Sequence, residues 1–168
     1  MYKKIIMAIT ITILLSILAM PVLAKPPDHF SDWFEEPPYD IADCGDFVVA
    51  TKGYTIYLDG TVHYGKDGNP IKAITHWRGS GYFWNPDSGK EVFMKSNLFN
   101  SVDNYETGET ASSGIQFKLT LLGEGTILMD VGRLVFDPYP VITFAAGQHP
   151  FYFPEEGGLE KLCAYFAD

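Results

Sequence analysis

An antiparallel β-barrel of roughly eight to ten strands with a short C-terminal helix is the fold this sequence predicts from its spacing of strands and turns. Three observations carry that expectation. Turn-forming clusters recur about every 8–12 residues from Asp46 to Ala146, and no helical apolar period runs through that stretch. Strands joined so closely must be antiparallel. Two cysteines, Cys44 and Cys163, bracket the stretch, and an N-terminal segment with the layout of an export signal precedes it.

Residues 1–24 are expected to be a cleavable secretory signal. Lys3 and Lys4 give a basic start, Ile5 to Met20 an apolar run, and Pro21 with Val22-Leu23-Ala24 a small-residue ending. The alternative is an uncleaved anchor, because Ile5 to Ala24 is about long enough to span a bilayer. Pro21 and the Val-Leu-Ala ending favour cleavage before Lys25, and no cysteine follows to take a lipid. No later segment is apolar enough to cross a membrane. The expected location is therefore secreted, periplasmic or extracellular, where Cys44 and Cys163 are expected to pair. That bridge closes a loop of roughly 120 residues, worth about 4–5 kcal/mol in the chain-entropy description.

Residues 25–43 read as a Pro-rich acidic lead-in. Pro26, Pro27, Pro37 and Pro38 deny it ladder and helix hydrogen bonds. Phe30, Trp33, Phe34 and Tyr39 predict that it lies against the domain, with a helical turn near Ser31 to Glu35; the alternative is a mobile linker. Residues 44–168 read as a single β-barrel domain. Phe47 to Ala50 opens it. Tyr54, Ile56 and Leu58 alternate with Thr55 and Tyr57 up to a turn at Asp59-Gly60. Lys66-Asp67-Gly68-Asn69 is a hairpin signal. Ile71 to Trp77 is followed by Gly79 and Gly81, which mark a bend or bulge. Asn85 to Gly89 is a turn, and Glu91 to Lys95 and Phe99 to Tyr105 are strands. Ile115, Phe117, Leu119 and Leu121 alternate with Gln116, Lys118 and Thr120, which predicts a strand with Gln116 facing out. A hairpin is expected about Val131-Gly132, then a two-sided apolar strand from Val141 to Ala146. Leu159, Leu162, Cys163 and Phe166 share a helical face.

The full chain carries 12 basic and 21 acidic side chains, a net charge of −9. Residues 1–24 contribute two lysines and no acid, so the remainder stands at −11. Such a surface repels nucleic acid and anionic lipid. With Arg78 and Arg133 the only arginines, a polyphosphate site is not expected.

Cys44 before the first strand, the turn segments Asn85 to Lys90 and Gly132 to Asp137, and Leu162-Cys163-Ala164 give the chain from Cys44 to Asp168 a likeness to a known group. It resembles small exported bacterial β proteins of unassigned function. The resemblance implies an all-β, barrel-like fold and no particular activity.

His29, His63, His76 and His149 form no metal-binding pattern, and the cysteines are committed to the bridge, so no metal is expected. Asp103 to Glu109 superficially resembles a calcium loop, but Tyr105, Thr107 and Gly114 stand where oxygen ligands are needed. It reads as an acidic hairpin tip. Ser112-Ser113-Gly114 reads as a turn rather than a nucleophile elbow. No cofactor fingerprint is present. With 21 acids, carboxylate pairs suited to glycosidase chemistry arise by chance.

The densest candidate binding cluster is His76, Trp77, Arg78, Tyr82 and Trp84. On a strand His76 and Arg78 share one face and Trp77 the other. Facing a lumen, His76 and Arg78 would form a polar site with an acid such as Asp130. Facing solvent, they leave Trp77 to the core, which Ile71 and Ala73 favour by sharing its parity. Trp84 beside its turn suits either a sugar-stacking platform or packing. The expected function is thus an exported, non-catalytic binder of a small molecule, glycan or surface partner. The alternatives are a barrel enzyme, an isomerase or hydrolase with a polar mouth, and a structural cell-surface protein.

Overall fold

The computed structural model describes residues 25–167, so the expected signal, 1–24, lies outside the described residues. The described chain forms eight strands: β1 (Asp28–Glu36), β2 (Asp40–Asp43), β3 (Val48–Tyr64), β4 (Pro70–Trp84), β5 (Glu91–Asn104), β6 (Thr110–Leu121), β7 (Gly125–Phe136) and β8 (Ile142–Gln148). A short 3-10 turn and one helix, α1 (Glu160–Ala167), follow. All pairings are antiparallel, in the order β1-β3-β4-β5-β6-β7-β8, with β2 also on β3. β1 and β2 share one edge of β3, at Tyr54–Val62 and Val48–Ala50 respectively. The sheet is not closed by hydrogen bonds, since β1 and β8 stand at its two ends. Among the described residues no helix is long and apolar enough to cross a membrane.

The sheet curls strongly. Phe83 on β4 and Phe117 on β6 bring their ring centroids within 6.0 Å, although in a flat sheet alternate strands lie about 9–10 Å apart. Two of the hairpin turns are built by side chains. Asn85 Oδ1 accepts the amide protons of Asp87 and Ser88 at 2.9 and 3.3 Å, and Asn104 Oδ1 those of Glu106 and Thr107 at 3.0 and 3.3 Å. These are Asx turns, which replace ladder bonds at a reversal.

α1 plugs part of the concave face. Leu162 and Phe166 are fully buried against Ile41, Val49, Phe83, Met94 and Leu128. The Cys44–Cys163 disulfide joins the chain before β3 to the helix, with Cα atoms 5.5 Å apart. Asn85 Nδ2 donates to the carbonyl of Phe166 at 3.1 Å, and the Lys90 ammonium donates to that of Tyr165. The last helical carbonyls thus find partners, one of them a cation where the helix dipole is negative.

Several local expectations are corrected. The lead-in holds a nine-residue strand, β1, rather than a helical turn, because its prolines flank the strand instead of interrupting it. Asp59-Gly60 makes no turn. Gly60 lies mid-strand, where a Cβ would come within 2.4 Å of the Phe30 ring across the β1 pairing. Val131-Gly132 is likewise inside β7, and the β6–β7 hairpin turns at Leu122–Glu124. Gly132 is needed because a Cβ would fall 2.1 Å from the carbonyl oxygen of Ala146 on β8. Ser112 to Gly114 lie within β6 rather than in a turn. β8 is exposed along almost its whole length, not buried on both sides.

The sharpest correction is on β6. A bulge between Ile115 and Phe117 resets the alternation. Ile115 pairs with the exposed Leu98, whereas Gln116 and Phe117 are both buried, at 5% and 7% exposure. Leu119 is buried as the alternation predicts.

Candidate functional site

Beyond the helix plug, the concave face opens into a cavity of about 490 Å³, with residues of β1, β3, β4, β5, β6 and β7 and of the segments before β2 and after β7 in its lining. Its aromatic wall includes Tyr39, Trp77, Phe99, Phe136, Phe151 and Tyr152. Period-two alternation brings Phe99, Ser101 and Asp103 to the lumen on β5. On β6, Thr110 and Ser112 follow the same rule, and the bulge adds Gln116.

These polar groups are ordered by one another. Trp77 Nε1–H donates to Ser101 Oγ at 2.9 Å, and the Ser101 hydroxyl points on to Asp103 Oδ2 at 3.5 Å. Thr110 donates to Asp103 Oδ1 at 2.8 Å. Gln116 Nε2 donates to Ser112 Oγ at 2.8 Å, with both residues buried. Glu36 closes the β1 side of the cavity. Burial pushes its carboxyl pKa up, and the adjacent Tyr39 phenol opposes that shift. Burial also raises the Tyr39 phenol well above its ordinary value. Tyr152 is pushed up to about 12, chiefly by burial and then by the charge of Asp130. Both phenols therefore remain donors across the neutral range.

Asp130 has a partner that the sequence did not suggest. It is fully buried beside His149, with Oδ1 2.9 Å from Nδ1. His149 Nε2 lies 3.2 Å from the carbonyl of Ala146, and the Phe151 amide donates to Asp130 Oδ2 at 3.2 Å. A carbonyl only accepts, so the contact with Ala146 is a hydrogen bond in the state where Nε2 carries a proton. Burial raises the Asp130 pKa, and His149 opposes the rise. The pair fastens to β7 the segment that delivers Phe151 and Tyr152 to the cavity wall. It positions the wall and does not itself line this cavity.

The five sequence-selected residues divide between the two faces. Trp77 lines the cavity. His76 and Arg78 are exposed on the opposite face of β4, where His76 Nδ1 bonds Asn100 Oδ1 and Arg78 sits between its cross-strand partners Tyr57 and Leu98. Tyr82 shares that outer face and meets Phe93 edge-on at 5.2 Å. Trp84 is half-buried, its Nε1 donating to the Thr51 carbonyl at 3.2 Å and its ring lying 5.3 Å from the Lys52 ammonium. Sequence reasoning thus reached Trp77 but not Glu36, Ser101, Asp103, Ser112, Gln116 or His149. The i, i+2, i+4 spacing of Phe99, Ser101 and Asp103 was the available signal for part of that set.

Among the described residues, no three His, Cys, Asp or Glu side chains are grouped to hold a metal ion. Comparison of the chain with protein families, curated proteins and solved structures finds no match.

Proposed function

We propose that the mature chain is an exported binding protein that holds a small molecule in the aromatic cavity without turning it over. The observation that carries this reading is the cavity of about 490 Å³ whose aromatic wall is interrupted by the hydrogen-bonded groups of Ser101, Asp103, Ser112 and Gln116. Ligand pockets have volumes of about 300–1,000 Å³, apolar walls and a few placed polar groups. In this reading the curled sheet works as a barrel, plugged by α1 and stapled by Cys44–Cys163. The disulfide and the acidic charge suit a protein released outside the cell after signal cleavage, with neither nucleic acid nor membrane as its partner. His76 and Arg78, on the outer face, are remote from the cavity chemistry and give an enzyme reading no support.

Titration calorimetry over a panel of aromatic alcohols, amines, acids and oligosaccharides tests the reading. Saturable binding that survives Trp84→Ala and disappears in Trp77→Ala is expected. Binding lost in Trp84→Ala and kept in Trp77→Ala would move the site to the outer face. Multiple turnover of a bound compound would replace the binder with an enzyme.

A further inference from the structure

We infer that the cavity is built for an organic cation, a protonated or quaternary amine carried on a ring or short apolar chain. The inference rests on the binding reading above and specifies its ligand. Two carboxylates, Glu36 and Asp103, line the cavity, and no Lys, Arg or His is among its described lining residues. Among the described residues, Asp103 is met by the hydroxyls of Ser101 and Thr110, and Glu36 by the phenol of Tyr39. Neutral donors orient a carboxylate but leave its charge unbalanced.

An anionic ligand would face two negative groups with no counter-charge. A neutral ligand would strip water from both and return hydrogen bonds at most, leaving their charge unbalanced. A cation satisfies them, and the same wall carries the rings of Trp77, Phe99 and Tyr152, aromatic groups whose quadrupoles attract cations. The net charge of −11 on residues 25–168 draws cations toward the mature chain from solution.

Titration of the site follows from the same groups. The ionisable side chains lining the cavity are Glu36, Asp103, Tyr39, Tyr54, Tyr139 and Tyr152. Burial raises the Glu36 pKa, so a bound cation favours loss of its proton. Binding in the acidic range is then accompanied by proton release.

Three probes of one skeleton test this on the intact mature chain: phenethylamine, phenethyl alcohol and phenylacetate. The amine is expected to bind about tenfold more tightly than the alcohol, and phenylacetate more weakly than either. Glu36→Gln and, separately, Asp103→Asn should weaken the amine's binding more than the alcohol's, narrowing the gap between the two. In the acidic range the amine's binding enthalpy should depend on the ionisation enthalpy of the buffer, a readout of proton release that needs no variant. If the alcohol or phenylacetate binds as tightly as the amine, and Trp77→Ala abolishes that binding, the cation inference falls and the binding protein stands. If none of the three binds, the cation inference falls, and the binding protein is decided by the wider panel.

Discussion

Trp77 and Phe99 are direct cross-strand partners whose rings lie 4° from parallel with centroids 5.5 Å apart. That separation is wider than a face-to-face stack, so the rings are offset, the arrangement favoured by aromatic quadrupoles. The stack holds the indole with its Nε1–H on Ser101, so one side chain is both wall and donor. Trp77→Ala is expected to cost about 3–5 kcal/mol if its packing behaves as a core aromatic. Trp77→Phe keeps a ring but deprives the Ser101 hydroxyl of its donor, at about 1 kcal/mol. Denaturant unfolding of both variants checks the order, and equal losses would mean that the hydrogen bond contributes nothing.

The bulge in β6 reverses an ordering that simple alternation suggests. Phe117→Ala should cost about 3–5 kcal/mol through lost burial and a cavity. Gln116→Ala should cost about 1–3 kcal/mol, because it opens space and leaves the buried Ser112 hydroxyl without its donor. Lys118→Ala, exposed on the same strand, should stay within about 0.5 kcal/mol. A Gln116 variant as mild as Lys118→Ala would remove the bulge from the account.

Glu36 gives stability a pH signature. Its folded pKa is raised by burial, so the folded protein holds this proton more tightly than the unfolded chain does. That contribution is complete below the unfolded value of about 4.3 and is lost as pH rises through the folded value. Glu36→Gln removes the titration. Melting temperatures of the wild type and Glu36→Gln should nearly coincide at about pH 3.5, with the variant the more stable at about pH 7. A constant difference across that range would show that Glu36 does not titrate on folding.

Breaking the Cys44–Cys163 bridge frees α1 from the start of β3 while leaving Leu162 and Phe166 their buried positions. Cys44→Ser/Cys163→Ser should lower the melting temperature by several degrees, since about 1 kcal/mol moves a domain of this size by roughly 2–4 °C. Thiol labelling of the denatured, unreduced wild type should find no free thiol. Two labelled thiols would show that the bridge does not form.

Antiparallel strands, most hairpin turns, the terminal helix and the disulfide were legible because each rests on local signals: alternation, Asn and Gly at reversals, and an apolar helical face. Gly60 and Gly132 were misread as turns. Their reason is a contact with a distant strand, the Phe30 ring in one case and the Ala146 carbonyl in the other. β1 was hidden because its partner, β3, lies beyond β2 and a turn. For the site, parity placed Trp77 inward and His76 and Arg78 outward. Parity also failed at Gln116, where the inserted residue shifts the count by one. The Asp130–His149 pair joins residues 19 apart across β8, a closeness that no spacing rule encodes.

The sheet's two open ends are not alike. β1 carries Asp28, Asp32, Glu35 and Glu36 and is flanked by Pro27 and Pro37, so a second strand approaching it meets negative charge and missing amide protons. β8 reads Ile-Thr-Phe-Ala-Ala-Gly-Gln, with no charged side chain and with Phe144 at 50% exposure. Electrostatic repulsion therefore guards one margin of the molecule only. Unwanted chain-to-chain stacking at high concentration would begin along the other, where an uncharged, β-prone ribbon offers its free backbone groups to any neighbour.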